Sequence, residues 1–85
     1  MNYSEKLQNI MDKYKGNQYN EIEFQDALSS IIATITENEH SELRNYLIAS
    51  EGELERTNYL IESKYIKDKY LEIISHIEEF ANNRS

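Results

Sequence analysis

Cysteine is absent from the 85 residues, so neither a disulfide framework nor a thiolate site is available, and zinc would have to be held by His and carboxylate alone. Proline is absent too, and glycine occurs only at positions 16 and 52, which removes the usual helix breakers. No window approaches the roughly 18 apolar residues that a membrane span needs, and no apolar run follows Met1, so a cytoplasmic protein with no membrane role is expected. Basic side chains are scarce: nine Lys and Arg stand against 16 Asp and Glu. The net charge of −7 repels phosphate backbones, so direct nucleic-acid binding is not expected.

What is present suffices for one small domain over residues 1–85. Eleven Ile, seven Leu and nine aromatic residues can form a core if they lie on amphipathic helices. With Glu, Lys, Leu, Gln and Ala deciding the backbone, the fold class expected is all-α, a small four-helix bundle with short, mostly antiparallel connections.

The periodicity predicts helices at about 4–15, 20–36, 39–61 and 65–82. In the first, Leu7, Ile10, Met11 and Tyr14 follow a 3.6-residue period, with Ser4 as N-cap and Gly16 free to take a left-handed cap. This helix is the shortest and the one expected to pack differently. In the second, Asn20 and Glu23 form a capping-box pattern ahead of the stripe Phe24, Ala27, Leu28, Ile31, Ile32 and Ile35. The polar run from Thr36 to Ser41 predicts a tight corner, with Thr36 and Glu39, or Ser41, capping the third helix. Leu43, Tyr46, Leu47, Ser50, Leu54, Thr57 and Ile61 then hold the period straight across Gly52, which favours one continuous helix over a break restarted from Ser50 with Glu53. After Glu62, Ser63 and Lys64, a last stripe runs through Ile66, Tyr70, Ile73, Ile74, Ile77 and Phe80.

Catalytic patterns are missing. Two isolated glycines cannot make a phosphate-cradling loop, and only His40 and His76 could serve any of the eight serines as base. Glu37 and His40 have the Glu-x-x-His spacing of carboxylate-bridged bundles, and Glu72 lies one turn before His76, but such sites need that motif on two helices plus two further Glu. Surface histidines explain them better. Paired acids for sugar hydrolysis need a cleft larger than a bundle of this size encloses. The expectation is a protein that is not an enzyme and carries no metal or cofactor.

Charge is unevenly placed. Residues 20–62 hold ten acids against Arg44 and Arg56, whereas the flanking segments are nearly neutral. If Leu43, Leu47, Leu54 and Ile61 face inward, Glu51, Glu55, Tyr59 and Glu62 fall outward at intervals of three and four, with Glu53 beside them. One reading is a solvated surface with Tyr59 half-buried against the last helix. The other is a docking face for a basic partner protein, since tyrosine suits interfaces and carboxylates pair with Arg and Lys. A third is a homodimer: Ile48, Leu60, Leu71 and Ile74 exceed what one narrow stripe per helix buries.

The segments Gln18-Tyr19-Asn20-Glu21-Ile22-Glu23-Phe24, Gly52-Glu53-Leu54-Glu55-Arg56 with Tyr59, and Lys69-Tyr70-Leu71-Glu72-Ile73-Ile74 together resemble the small acidic immunity proteins of the colicin D type. The resemblance spans most of the chain in length and helix order and rests on short, degenerate patterns. It implies a four-helix bundle that binds a cognate bacterial toxin, often a tRNA-cleaving nuclease, presenting carboxylates to a basic catalytic cleft in place of RNA phosphates. On that resemblance Glu51, Glu53, Glu55, Tyr59 and Glu62 would be the contacts.

Overall fold

The computed structural model describes residues 3–35 and 41–83, and their secondary structure is four helices. These are α1 (Tyr3–Lys15), α2 (Glu21–Thr34), α3 (Ser41–Leu60) and α4 (Ser63–Asn83). No helix among the described residues is long and apolar enough to cross a membrane. Each packs on its chain neighbours, and α1 closes the ring against α4. Pairs of side-chain bonds fix antiparallel directions: Gln25 with Asn58 and Ser29 with Glu51 for α2 and α3, and Gln8 with Glu78 and Asn17 with Lys67 for α1 and α4.

All four predicted stripes turn inward and merge into a single core. Leu7, Ile10, Met11 and Tyr14 come from α1, and Phe24, Leu28, Ile31 and Ile32 from α2, with Ile35 just beyond it. Leu43, Leu47 and Leu54 come from α3, and Tyr70, Ile73, Ile74 and Ile77 from α4. So α1, expected to pack differently, joins the ring like its neighbours, because its four apolar residues cover a full helical face. Ser50 and Thr57 are buried as well, and each hydroxyl donates to the carbonyl four residues earlier, Tyr46 and Glu53, at 2.9 and 2.8 Å. That back-bonding lets a polar side chain sit at a core position without an unpaired group.

Several termini differ from expectation. Helix α1 already includes Ser4, so Ser4 is a first-turn residue rather than the N-cap. The left-handed residue after it is Asn17 (φ 63°), not Gly16. Gln18 N–H donates to the Lys13 carbonyl and Asn17 N–H to the Tyr14 carbonyl, the paired bonds of a Schellman ending, in which the left-handed position falls one residue past the cap. Asparagine tolerates that conformation, and here its side-chain oxygen also accepts from Lys67 of α4. The Asn20–Glu23 capping box forms as predicted, with both reciprocal bonds at 2.9 Å. The corner, with Thr36, Glu37, Glu39 and His40, lies outside the described residues. Helix α3 stops at Leu60 rather than Ile61, and α4 begins at Ser63, two residues earlier than the pattern suggested. Its first turn, Ser63-Lys64-Tyr65, carries no buried side chain, so no apolar period marks it.

Helix α3 runs unbroken through Gly52. A Cβ built there would meet only the Arg56 guanidinium, at 3.8 Å, an ordinary contact. Gly52→Ala is therefore expected to raise stability by about 0.5–1 kcal/mol in urea unfolding, the helical penalty of glycine, whereas a helix broken at residue 52 would show no gain.

Near the α1–α2 turn, Tyr14, Phe24 and Tyr70 form a three-ring cluster with centroids 5.4, 5.5 and 6.3 Å apart. The Tyr14 hydroxyl donates to Glu21 Oε2 at 2.5 Å, and the Tyr70 hydroxyl lies 3.2 Å from Asn58 Oδ1. Burial raises the pKa of both phenols, and the hydrogen bond and charge of Glu21 raise that of Tyr14 further; the Asn58 contact partly opposes the rise at Tyr70. A phenol whose pKa is raised on folding contributes stability that is complete below the unfolded value of about 10 and declines as pH climbs beyond it. Unfolding midpoints are thus expected to fall steadily above about pH 10, and Tyr14→Phe should flatten that decline while lowering the neutral-pH midpoint.

Candidate protein-docking face

The five candidate residues on and after α3 do not form one ridge. At 100° per residue, Glu51, Glu55 and Tyr59 climb a single side of the helix, together with Ile48. Glu55 and Tyr59 are exposed, Tyr59 at 86%, so the alternative of a ring half-buried against α4 does not hold. The reason is geometric: Tyr59 is two residues past the inward Thr57 and points away from the bundle. Glu51 leans toward α2 and accepts a hydrogen bond from the Ser29 hydroxyl.

Glu53 stands on the other flank, toward α4. There it lines a shallow depression of 270 Å³ with Arg56, Thr57, Leu60, Ile61 and Lys69. That volume lies below the range of about 300–1,000 Å³ typical of small-molecule sites. Glu62 comes after the last helical residue, so the three-and-four spacing that placed it on the ridge no longer applies; its carboxylate lies 3.9 Å from Lys64 Nζ. The sequence pattern misplaced both, because one angle offset separates Glu53 from Glu51 by most of the helix width, and because a helix end is invisible to periodicity.

The apolar surplus read as a dimer surface is largely absorbed. Ile74 is fully buried, and Leu71 packs against the core. Four helices in a ring bury two sides of α4, which uses both residues. Ile48 and Leu60 remain exposed, at 42% and 76%.

No group of three His, Cys, Asp or Glu converges among the described residues. Glu37 and His40 lie outside them. His76 is exposed on α4, and Glu72 faces Lys69 at 3.4 Å. Glu78 accepts from Lys15 at 2.6 Å and Gln8 at 2.8 Å and ties α4 to α1. Partial burial would raise its pKa, but these two bonds outweigh burial and hold it below the usual carboxylate range. Its role is to join α1 and α4.

Comparison with known proteins identifies no matching family, no matching characterised protein and no matching solved structure. The face therefore stands on its own geometry. Two of its residues were missed in the sequence. Ile22, 70% exposed, and the exposed Asp26 lie on the turns of α2 that carry Gln25 and Ser29, the residues bonded to Asn58 and Glu51 of α3. Ile22 is two residues before Phe24 and so off the buried stripe, a departure that could have marked it.

Because Glu55 and Tyr59 are exposed and outside the buried core, Glu55→Gln and Tyr59→Ser should leave the thermal midpoint within the change expected of about ±0.5 kcal/mol, while the neighbouring Leu54→Ala costs about 2–5 kcal/mol. A large loss at Tyr59 in differential scanning calorimetry would place it in the core instead.

Proposed function

We propose that this chain is a non-enzymatic acidic binding protein, an immunity protein or inhibitor that occludes the basic active site of a cognate bacterial toxin, such as a tRNA-cleaving nuclease. The observation that carries the reading is Tyr59, 86% exposed and on the same side of α3 as Glu51 and Glu55. A rigid aromatic ring bordered by carboxylates is the composition of an interface anchor with charged flanks. The excess negative charge speeds capture of a positively charged partner, which an inhibitor needs because the toxin acts until it is bound. Placing the ring and acids on a helix held by the core adds preorganisation, so little ordering entropy is lost on binding. The toxin itself is inferred from the colicin D-type resemblance alone.

The test is co-purification of the tagged chain with the products of its neighbouring genes at rising salt, followed by assay of the recovered protein on tRNA with and without the chain. A one-to-one complex with a basic nuclease is expected, its activity blocked and its affinity reduced by salt and by Glu51→Lys or Glu55→Lys. Undiminished affinity under both perturbations would rule out the electrostatic account. Recovery of the chain only with itself would transfer the apolar residues Ile48 and Leu60 to a homodimer.

A further inference from the structure

Two large apolar side chains on adjacent helices stand in solvent, with nothing among the described residues to cover them. Ile22, in the first turn of α2, is 70% exposed, and Tyr59, one residue from the end of α3, is 86% exposed. The α2–α3 register brings them to the same end of one seam. Asn58 donates to Gln25 at 3.2 Å, and the Ser29 hydroxyl donates to Glu51 further along. Ile22 precedes Gln25 by about one turn, and Tyr59 adjoins Asn58, so both stand at the mouth of that seam.

Moving along the seam, the outward rows present Asp26 on α2, then Glu55 and Glu51 on α3, and finally Ile48, 42% exposed. From Tyr59 to Ile48 is about 16 Å at 1.5 Å per residue, three turns of helix. The sequence contains no Lys or Arg between Lys15 and Arg44, so α2 contributes no cation; α3 contributes Arg44, a turn beyond Ile48, and Arg56, beside Glu55 with its guanidinium near Gly52. Between its apolar ends the patch therefore sets three carboxylates, Asp26, Glu51 and Glu55, against the single guanidinium of Arg56.

A second copy of the chain does not suit this surface. A two-fold contact centred on this patch would set the acids Asp26, Glu51 and Glu55 of one copy against the same acidic stretch of the other. We propose that the α2–α3 seam is a docking groove for a basic amphipathic helix of another protein. Apolar side chains of that helix seat against Ile22, Tyr59 and Ile48, and its Lys or Arg side chains turn toward Asp26, Glu51 and Glu55. Anchors a few turns apart along two parallel ridges fit a helix laid in a groove. This inference rests on the reading of the chain as an acidic binding protein and specifies the element that it takes.

Synthetic peptides of about five turns supply the probe: a Lys/Leu amphipathic helix, the same peptide with Leu replaced by Ser, and a Glu/Leu helix. Each is titrated into the ¹⁵N-labelled chain. The Lys/Leu peptide is expected to shift the amides of Ile22, Asp26, Glu51, Glu55 and Tyr59, and to bind at least about tenfold more tightly than the Lys/Ser peptide. Ile22→Ser and Tyr59→Ser, both at exposed positions, should each weaken it by about tenfold. If Ile22→Ser and Tyr59→Ser leave the affinity unchanged while Glu51→Lys and Glu55→Lys reduce it, the groove is wrong and the acidic-inhibitor reading survives. Equal binding of the Glu/Leu helix overturns both, whereas binding of none of the three overturns the groove alone. Shifts at Ile22 and Tyr59 that depend on protein concentration without peptide would show a second copy on the seam and overturn the groove.

Discussion

The contact among Tyr14, Phe24 and Tyr70 is the point on which the arrangement of the helices depends. One ring comes from each of α1, α2 and α4, all three fully buried and within 6.3 Å of one another. Aromatic rings bury much area in few rotatable bonds, so three of them set the separation and rotation of their helices more tightly than aliphatic side chains would. Their hydroxyls then extend the constraint outward. Tyr14 reaches Glu21 at the start of α2, and Tyr70 reaches Asn58 on α3, which draws the fourth helix to the other three. Lys67 lies over the Tyr14 ring at 5.3 Å and also donates to Asn17, so the α1–α2 turn is tied to α4 at the same place.

That knot sits at the end of the bundle where Ile22 and Tyr59 emerge. Asn58 is the link: it contacts Tyr70 on its inner side, donates to Gln25, and is followed directly by the exposed Tyr59. The rotation of α3 at this end is thereby set by polar contacts to both α2 and α4. At the opposite end, the Tyr46 and Phe80 rings stack at 4.1 Å and 11°, and hold α3 to α4 there. With both ends held, the outer side of α3 has little freedom to turn, and the row from Ile48 to Tyr59 is presented as a fixed surface. A fixed surface is what an interface with few aromatic anchors requires, because each immobilised side chain otherwise costs ordering entropy on binding.

Much of the fold was legible in the linear pattern. The four stripes named from periodicity are the four that form the core, and Asn20 with Glu23 caps α2 as the spacing implied. The unbroken α3 was legible because Ser50, Leu54 and Thr57 keep their period on both sides of Gly52, and burial against neighbours exceeds the cost of one glycine. Positions governed by non-local contacts were not legible. Asn17 rather than Gly16 takes the left-handed turn, and Ser63 starts α4 without an apolar residue to announce it.

The candidate face divides along the same line. Composition and periodicity by themselves determined that the chain is helical, that its negative charge gathers in the middle segment, and that Glu51, Glu55 and Tyr59 share one side of α3, since all of these follow from residue identity and a 3.6-residue repeat. Only the packing of α2 against α3 decided that the turns of α2 carrying Ile22 and Asp26 run alongside that row, through the Gln25–Asn58 and Ser29–Glu51 contacts. Residues far apart in sequence become neighbours through the register of two helices, and that register is set by side chains such as Gln25, Ser29, Glu51 and Asn58 meeting across the seam. Periodicity describes each helix about its own axis and carries no information on which neighbour stands on either side.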